Sequence, residues 1–137
     1  MVDVAVKKRV LLIDDEEDFC FFVRKNLEKT GVFEVLTATD PEAGILLAKE
    51  RLPDVILLDI VMPKMHGPVV AEALSSEPRT RRIPLIFVTA MVTEKEMGVG
   101  LTKEIGEYTF IAKPVRSENL ISAIRLVSGE IAGSQEG

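Results

Sequence analysis

The sequence holds a single cysteine, Cys20, so no intrachain disulfide can staple the fold, and an unpaired thiol suits a reducing compartment. Long apolar runs are also missing. The longest continuous stretches, such as Val10 to Ile13 and Val55 to Leu58, fall far short of the roughly 18 residues of a membrane span. Lys7, Lys8 and Arg9 precede the first run, which is too short for the apolar segment of a secretory signal. A cytoplasmic protein with no membrane insertion is therefore expected. There is no basic excess either: 17 Lys and Arg stand against 22 Asp and Glu, a formal net charge of −5. That disfavours direct binding to nucleic acid or to an anionic membrane and leaves a cation as a suitable ligand. No repeat or low-complexity tract interrupts the chain. No glycine-rich turn follows the first apolar run and no flavin-type phosphate loop is present, which argues against nucleotide oxidoreduction.

What is there fits one domain. The 137 residues are 47% apolar and 28% charged, enough to bury a core of their own. The reading is a single domain over 1–137, with its core at about 9–128 and a glycine- and serine-rich tail or linker at 129–137. Four runs, Val10 to Ile13, Val55 to Leu58, Leu85 to Val88 and Tyr108 to Ala112, with a weaker fifth at Phe33 to Thr37, lack a polar residue at every second place, as suits parallel strands covered on both faces. Between them lie segments of helical length. Residues 17–30 carry Phe19, Phe22, Val23, Leu27 and Thr30 at spacings of three and four, and Gly31 ends the pattern. Residues 41–51 open with Asp40 as N-cap and Pro41 at the first helical position. Residues 68–76 and 117–128 complete the clearer helices. A short helix is expected within 91–105, although Gly98 and Gly100 oppose it. Strand then helix, five times over, implies right-handed crossovers and a doubly wound parallel sheet.

In such a sheet the ligand crevice lies beyond the carboxyl ends of the strands. The first strand is followed there by Asp14, Asp15 and Glu16, the third by Asp59, the fourth ends in Thr89, and the fifth is followed by Lys113 and Pro114. Two unit charges about 4 Å apart repel by about 4 kcal/mol at an effective dielectric of 20, so clustered carboxylates need a cation. An all-oxygen set suits Mg²⁺, which takes one or two carboxylates together with phosphate oxygens. A carboxylate can be the nucleophile that accepts a phosphoryl group, while metal, hydroxyl and lysine neutralise the transferred charge.

These residues resemble the receiver domain of two-component response regulators. The paired acids appear as Val10-Leu11-Leu12-Ile13-Asp14-Asp15-Glu16, and the phosphoacceptor segment as Asp59-Ile60-Val61-Met62-Pro63 with Gly67 beyond it. The remaining signatures appear as Phe87-Val88-Thr89-Ala90 and Lys113-Pro114. The resemblance covers roughly 9–128 and implies a flavodoxin-like (βα)5 fold with strand order 2-1-3-4-5. It implies that Asp59 accepts the phosphoryl group from a histidine kinase or phosphotransfer protein, and that Mg²⁺ is held by Asp14, Asp15, Asp59 and the backbone carbonyl of Val61. Thr89 would hydrogen-bond a phosphoryl oxygen. Lys113 would pair with Asp59 before the reaction and with the phosphoryl group after it, and Pro114 would follow a cis peptide bond. Thr89 and Phe110 would form the switch, re-forming a surface of the fourth helix, fifth strand and fifth helix that a downstream protein reads. Such a domain is no enzyme toward other substrates but catalyses its own phosphorylation and dephosphorylation.

Some positions depart from the family pattern. Phe110 replaces the tyrosine often found at the switch, Val61 and Met91 occupy places that tune phosphoryl lifetime, and His66 stands where an acid or amide is common. His66 and the arginines at 79, 81 and 82 read as solvated loop residues, and Cys20 as a small buried hydrophobe. Two rival functions are a pseudo-receiver that binds partners without phosphorylation and a phosphohydrolase of the haloacid dehalogenase type. The complete acid, threonine and lysine set opposes the first. The second places its nucleophile on the first strand with another aspartate two residues on, whereas here Asp14 and Asp15 are adjacent.

Overall fold

The computed structural model describes residues 6–90, 102–105 and 108–129. Five strands run parallel: β1 (Lys8–Ile13), β2 (Phe33–Ala38), β3 (Val55–Leu58), β4 (Leu85–Thr89) and β6 (Tyr108–Ala112). A sixth, β5 (Thr102–Ile105), lies antiparallel on the outer side of β6, and the sheet order is β2-β1-β3-β4-β6-β5. The helices are α1 (Glu17–Glu28), α2 (Pro41–Arg51), α3 (Gly67–Ser75) and α4 (Ser117–Val127). The five parallel strands keep the expected order 2-1-3-4-5.

The continuous apolar runs are explained by burial on both faces. Along β1, Val10 and Leu12 join one core cluster while Leu11 and Ile13 join another. The same split recurs in β3 (Val55 and Leu57 against Ile56 and Leu58) and β4 (Ile86 and Val88 against Phe87). Alternate side chains point to opposite faces of a strand, so each face needs its own helices. Cys20, Val23 and Leu27 of α1 and Leu120, Ala123 and Ile124 of α4 cover the first face; Ala48 of α2 and Val70, Ala71 and Leu74 of α3 cover the second. Helix α2 reaches the sheet through small residues. Gly44 sits so close that a Cβ there would come within 2.7 Å of the Ile13 side chain, while Leu46 faces out.

Residues 91–101, most of the stretch where a short helix is expected, lie outside the described residues, and Thr102–Ile105 at its end form a strand. The edge of β6 offers unpaired backbone groups that β5 satisfies in register, Thr102 opposite Ile111 and Ile105 opposite Tyr108. On α1, Phe22 is 42% exposed, and Cys20 takes the core position next to Val23. The start of α2 is as expected: the Asp40 carboxylate accepts the Ala43 N–H at 3.0 Å. Residues 130–137, expected as a tail, lie outside the described residues.

At the amino ends of the strands the carboxylates have close partners. Arg9 Nε donates to Glu34 Oε1 at 3.0 Å, Arg51 Nη2 lies 3.5 Å from Glu34 Oε2, and the Arg9 N–H donates to Asp54 Oδ2 at 2.7 Å. Among the described residues, no helix is long and apolar enough to cross a membrane.

Candidate functional site

Three site residues stand one step past the ends of their strands, and the sheet itself holds them there. The Asp14 N–H donates to Ala38 O at 3.0 Å, the Asp59 N–H to Ile13 O at 3.0 Å, and the Lys113 N–H to Thr89 O at 2.8 Å. Each extends the strand ladder by one rung, so these side chains project from the rim with the rigidity of the sheet. The loop after β3 folds back tightly, with the Gly67 N–H donating to Ile60 O at 2.6 Å. A Cβ at Gly67 would collide with the carbonyl oxygen of Asp59 and come within 2.8 Å of Ile60 Cα, so only glycine fits here without moving the backbone that carries Asp59. The Lys113–Pro114 peptide bond is cis.

These elements enclose an open cleft of about 410 Å³ lined by Asp15, Glu16, Asp59, Val61, Thr89, Ala90 and Lys113. Asp14 is fully buried beside it. Carboxylate oxygens of Asp14, Asp15 and Asp59 lie within 4.8 Å of one another, a spacing that lets one small cation touch all three. Asp14 Oδ1 accepts the Glu16 N–H at 2.9 Å. Asp14 Oδ2 is ion-paired with Lys113 Nζ at 2.8 Å. Three carboxylates this close repel one another beyond what one ammonium offsets, and a hard cation would relieve the repulsion. The acids therefore fit Mg²⁺ by donor type and spacing.

The electrostatics carry the same message. Burial, with the neighbouring charge of Asp14 adding to it, pushes the Asp59 carboxyl up to about 6. Burial also raises Asp14, against the opposing pull of Lys113 and the Glu16 N–H. For Lys113, burial acts downward but is outweighed by Asp14 and Glu16, which raise it and keep the ammonium charged. Burial and then the charge of Asp14 push the Cys20 thiol up to about 12, which makes it an inert core group.

The structure brings Asp14, Asp15, Asp59, Val61, Thr89 and Lys113 together. Phe110 stands apart from the cleft: it stacks on Phe87 with ring centroids 5.0 Å apart and packs against the second core cluster. Lys113 is not closest to Asp59. Its Nζ lies 2.7 Å from Glu16 Oε1 and 3.9 Å from Asp59 Oδ2. Sequence reasoning gave Glu16 no role of its own. The only signal was its place, third in the run of acids and at the N-cap of α1 facing the rim.

A family model for the response regulator receiver domain matches residues 10–125. The chain belongs to this family. Protein PilH of Pseudomonas aeruginosa is 35% identical over 119 residues, covering 87% of this chain and 96% of that protein. Response regulator PleD of Caulobacter vibrioides is 35% identical over 117 residues, 85% of this chain but 25% of that protein. The chain likewise spans 47% of a probable transcriptional regulator, ycf27, of Guillardia theta, so it matches only a part of several longer relatives. Among solved structures, a response regulator from Desulfuromonas acetoxidans superposes with a TM-score of 0.70 at 26% identity, covering 88% of this chain and 95% of that one. The Vibrio cholerae chemotaxis protein CheY4, at 24% identity and a TM-score of 0.74 over 89% of this chain and 99% of that one, shares the fold. Receivers of this family take a phosphoryl group on an aspartate, bind Mg²⁺ at an acidic pocket and interact with histidine kinases and downstream targets.

Proposed function

We propose that Asp59 is the phosphoacceptor of this receiver, taking its phosphoryl group from a histidine kinase or phosphotransfer protein. The observation that carries the reading is the convergence of Asp14, Asp15, Asp59, Thr89 and Lys113 on one cleft at the carboxyl ends of β1, β3, β4 and β6. Asp14, Asp15, Asp59 and the backbone carbonyl of Val61 would hold Mg²⁺. When bound, that ion would neutralise the clustered acids and the phosphoryl oxygens. Even with its value raised to about 6, Asp59 is ionised at neutral pH, the form in which a carboxylate acts as nucleophile. Its oxygen forms the new bond to phosphorus as the bond to the donor's leaving atom breaks, giving an acyl phosphate. Thr89 donates its hydroxyl hydrogen to a phosphoryl oxygen, and the Lys113 ammonium offsets the added charge. With these groups the domain catalyses its own phosphorylation and, when water attacks phosphorus, its own dephosphorylation.

The switch runs along β4 and β6. Thr89 pairs in register with Ala112, and Phe87 with Phe110. A Thr89 side chain drawn toward the phosphoryl group leaves space that the Phe110 ring fills, and a downstream protein reads the altered face of β6, α4 and the expected helix between β4 and β6, which lies outside the described residues. With no hydroxyl on Phe110, the two ring positions differ by packing alone. The free, buried thiol of Cys20 suits a cytoplasmic setting. Intact-mass analysis after incubation with a small acyl phosphate and Mg²⁺ tests the assignment. The chain should gain one phosphoryl group, and Asp59→Asn or added chelator should abolish the gain. No gain in the unaltered chain, with no stable beryllium fluoride complex either, would establish the pseudo-receiver reading instead.

A further inference from the structure

Lys113 has a choice of partners in the cleft. Its Nζ lies 2.7 Å from Glu16 Oε1, 2.8 Å from Asp14 Oδ2 and 3.9 Å from Asp59 Oδ2, and it rests 4.3 Å from the centroid of the Phe19 ring. The two nearest carboxylates and the aromatic face all belong to the β1–α1 side. Glu16 occupies the N-cap of α1, where a side chain ordinarily accepts a helix N–H, yet it makes no such capping bond. Its carboxylate reaches across to Lys113 instead.

We propose that Glu16 is a positioning residue that holds the Lys113 ammonium on the α1 side of the cleft, away from Asp59, so that phosphoryl transfer includes release of Lys113 from Glu16. This rests on the reading of Asp59 and Lys113 given above. The strength of the grip fits a releasable hold. The Glu16 side chain is 62% exposed, so water and salt screen the pair, whereas a phosphoryl group on Asp59 would present three acceptor oxygens and added negative charge. Asp14 is shared with the candidate cation site, and when it is engaged there Glu16 is the nearer carboxylate left to Lys113. Phe19 completes the cradle, because an ammonium over an aromatic face is attracted to it without being fixed to one acceptor.

Glu16→Asp separates this proposal from a simple charge effect. It keeps the charge but shortens the reach, and aspartate at an N-cap turns readily to cap the helix. Glu16→Gln removes the charge and keeps the length. Both variants change an exposed position with no core contact, so folding is preserved. Phosphorylation by a small acyl phosphate at saturating Mg²⁺ should rise in maximal rate by roughly two- to fivefold in both, the scale of a partly exposed ion pair. For Glu16→Asp, the half-saturating donor concentration should not change. A second readout needs neither donor nor metal: the Lys113 side-chain methylenes beside Phe19 should carry a ring-current shift in the NMR spectrum of the unaltered chain, and that shift should shrink in both variants. A rate change in Glu16→Gln alone, or a ring-current shift untouched by Glu16→Asp, would overturn the proposal. If the unaltered chain takes no phosphoryl group, the functional reading fails and the rate arm with it, while the ring-current arm still decides whether Glu16 holds Lys113.

Discussion

The two ends of one parallel sheet are finished differently. At the amino ends, the Arg9 and Arg51 guanidiniums flank Glu34 at 3.0 and 3.5 Å, and the Asp54 carboxylate accepts the backbone N–H of Arg9 at 2.7 Å. At the carboxyl ends, Asp14, Asp15, Glu16 and Asp59 crowd one cleft, where among the described residues Lys113 is the ammonium in ion-pair reach of Asp14, Glu16 and Asp59. The same strands and the same two core clusters support both ends, so the imbalance does not follow from the fold. Four carboxylates around one ammonium in the cleft are an excess of negative charge, and that excess marks the cleft as the place where a cation fits.

Substitutions at the two ends should differ in what they change. The largest stability effect is expected from Asp59→Asn. A folded value raised from the ordinary 3.8 to about 6 means that the ionised carboxylate opposes folding. Stability from this group is therefore full at low pH and falls as pH rises through that window, levelling above about 6, by about 3 kcal/mol at 1.36 kcal/mol per pKa unit. Asp59→Asn should recover most of that at neutral pH in urea unfolding and flatten the slope between pH 4 and 6. Gly67→Ala comes next. It forces the backbone around Asp59 and Ile60 apart, which should cost about 1–3 kcal/mol and slow phosphorylation together, read by unfolding and by intact mass on the same preparation. The smallest effect belongs to the amino end. Glu34→Gln breaks a part-exposed network and should cost less than about 1 kcal/mol with no change in phosphorylation; a large kinetic effect there would mean that the two ends are coupled.

Much of this was legible in the sequence because strong local signals agreed with the fold. Continuous apolar runs marked the buried strands, Asp40-Pro41 marked the start of α2, and the acids, Thr89 and Lys113 could be placed on one rim as soon as the strands were known. What was missed lacked an apolar signal or depended on contacts between distant segments. The strand at Thr102–Ile105 pairs with its near neighbour β6, and its short polar run, Thr102-Lys103-Glu104, gives no apolar signal that would mark it as a strand. The buried face of α2 is built from Pro41, Gly44 and Ala48, small residues that hydrophobic periodicity passes over. Phe22 satisfied the helical spacing of α1 but lies on its open flank, where it lines a cleft with Phe19, Lys113 and Pro114. The pairing of Lys113 with Glu16 in preference to Asp59 is a matter of about an ångström, which spacing along a chain cannot resolve.

The central claim, that the acidic end is left incomplete for a cation and a phosphoryl group, is tested most directly by thermal unfolding with and without Mg²⁺ from acid to neutral pH. Mg²⁺ should raise the melting temperature at neutral pH, where Asp59 is ionised, lose that effect as pH falls below about 6, and act much less on Asp59→Asn. A melting temperature indifferent to Mg²⁺ at every pH, or raised equally in Asp59→Asn, would contradict it.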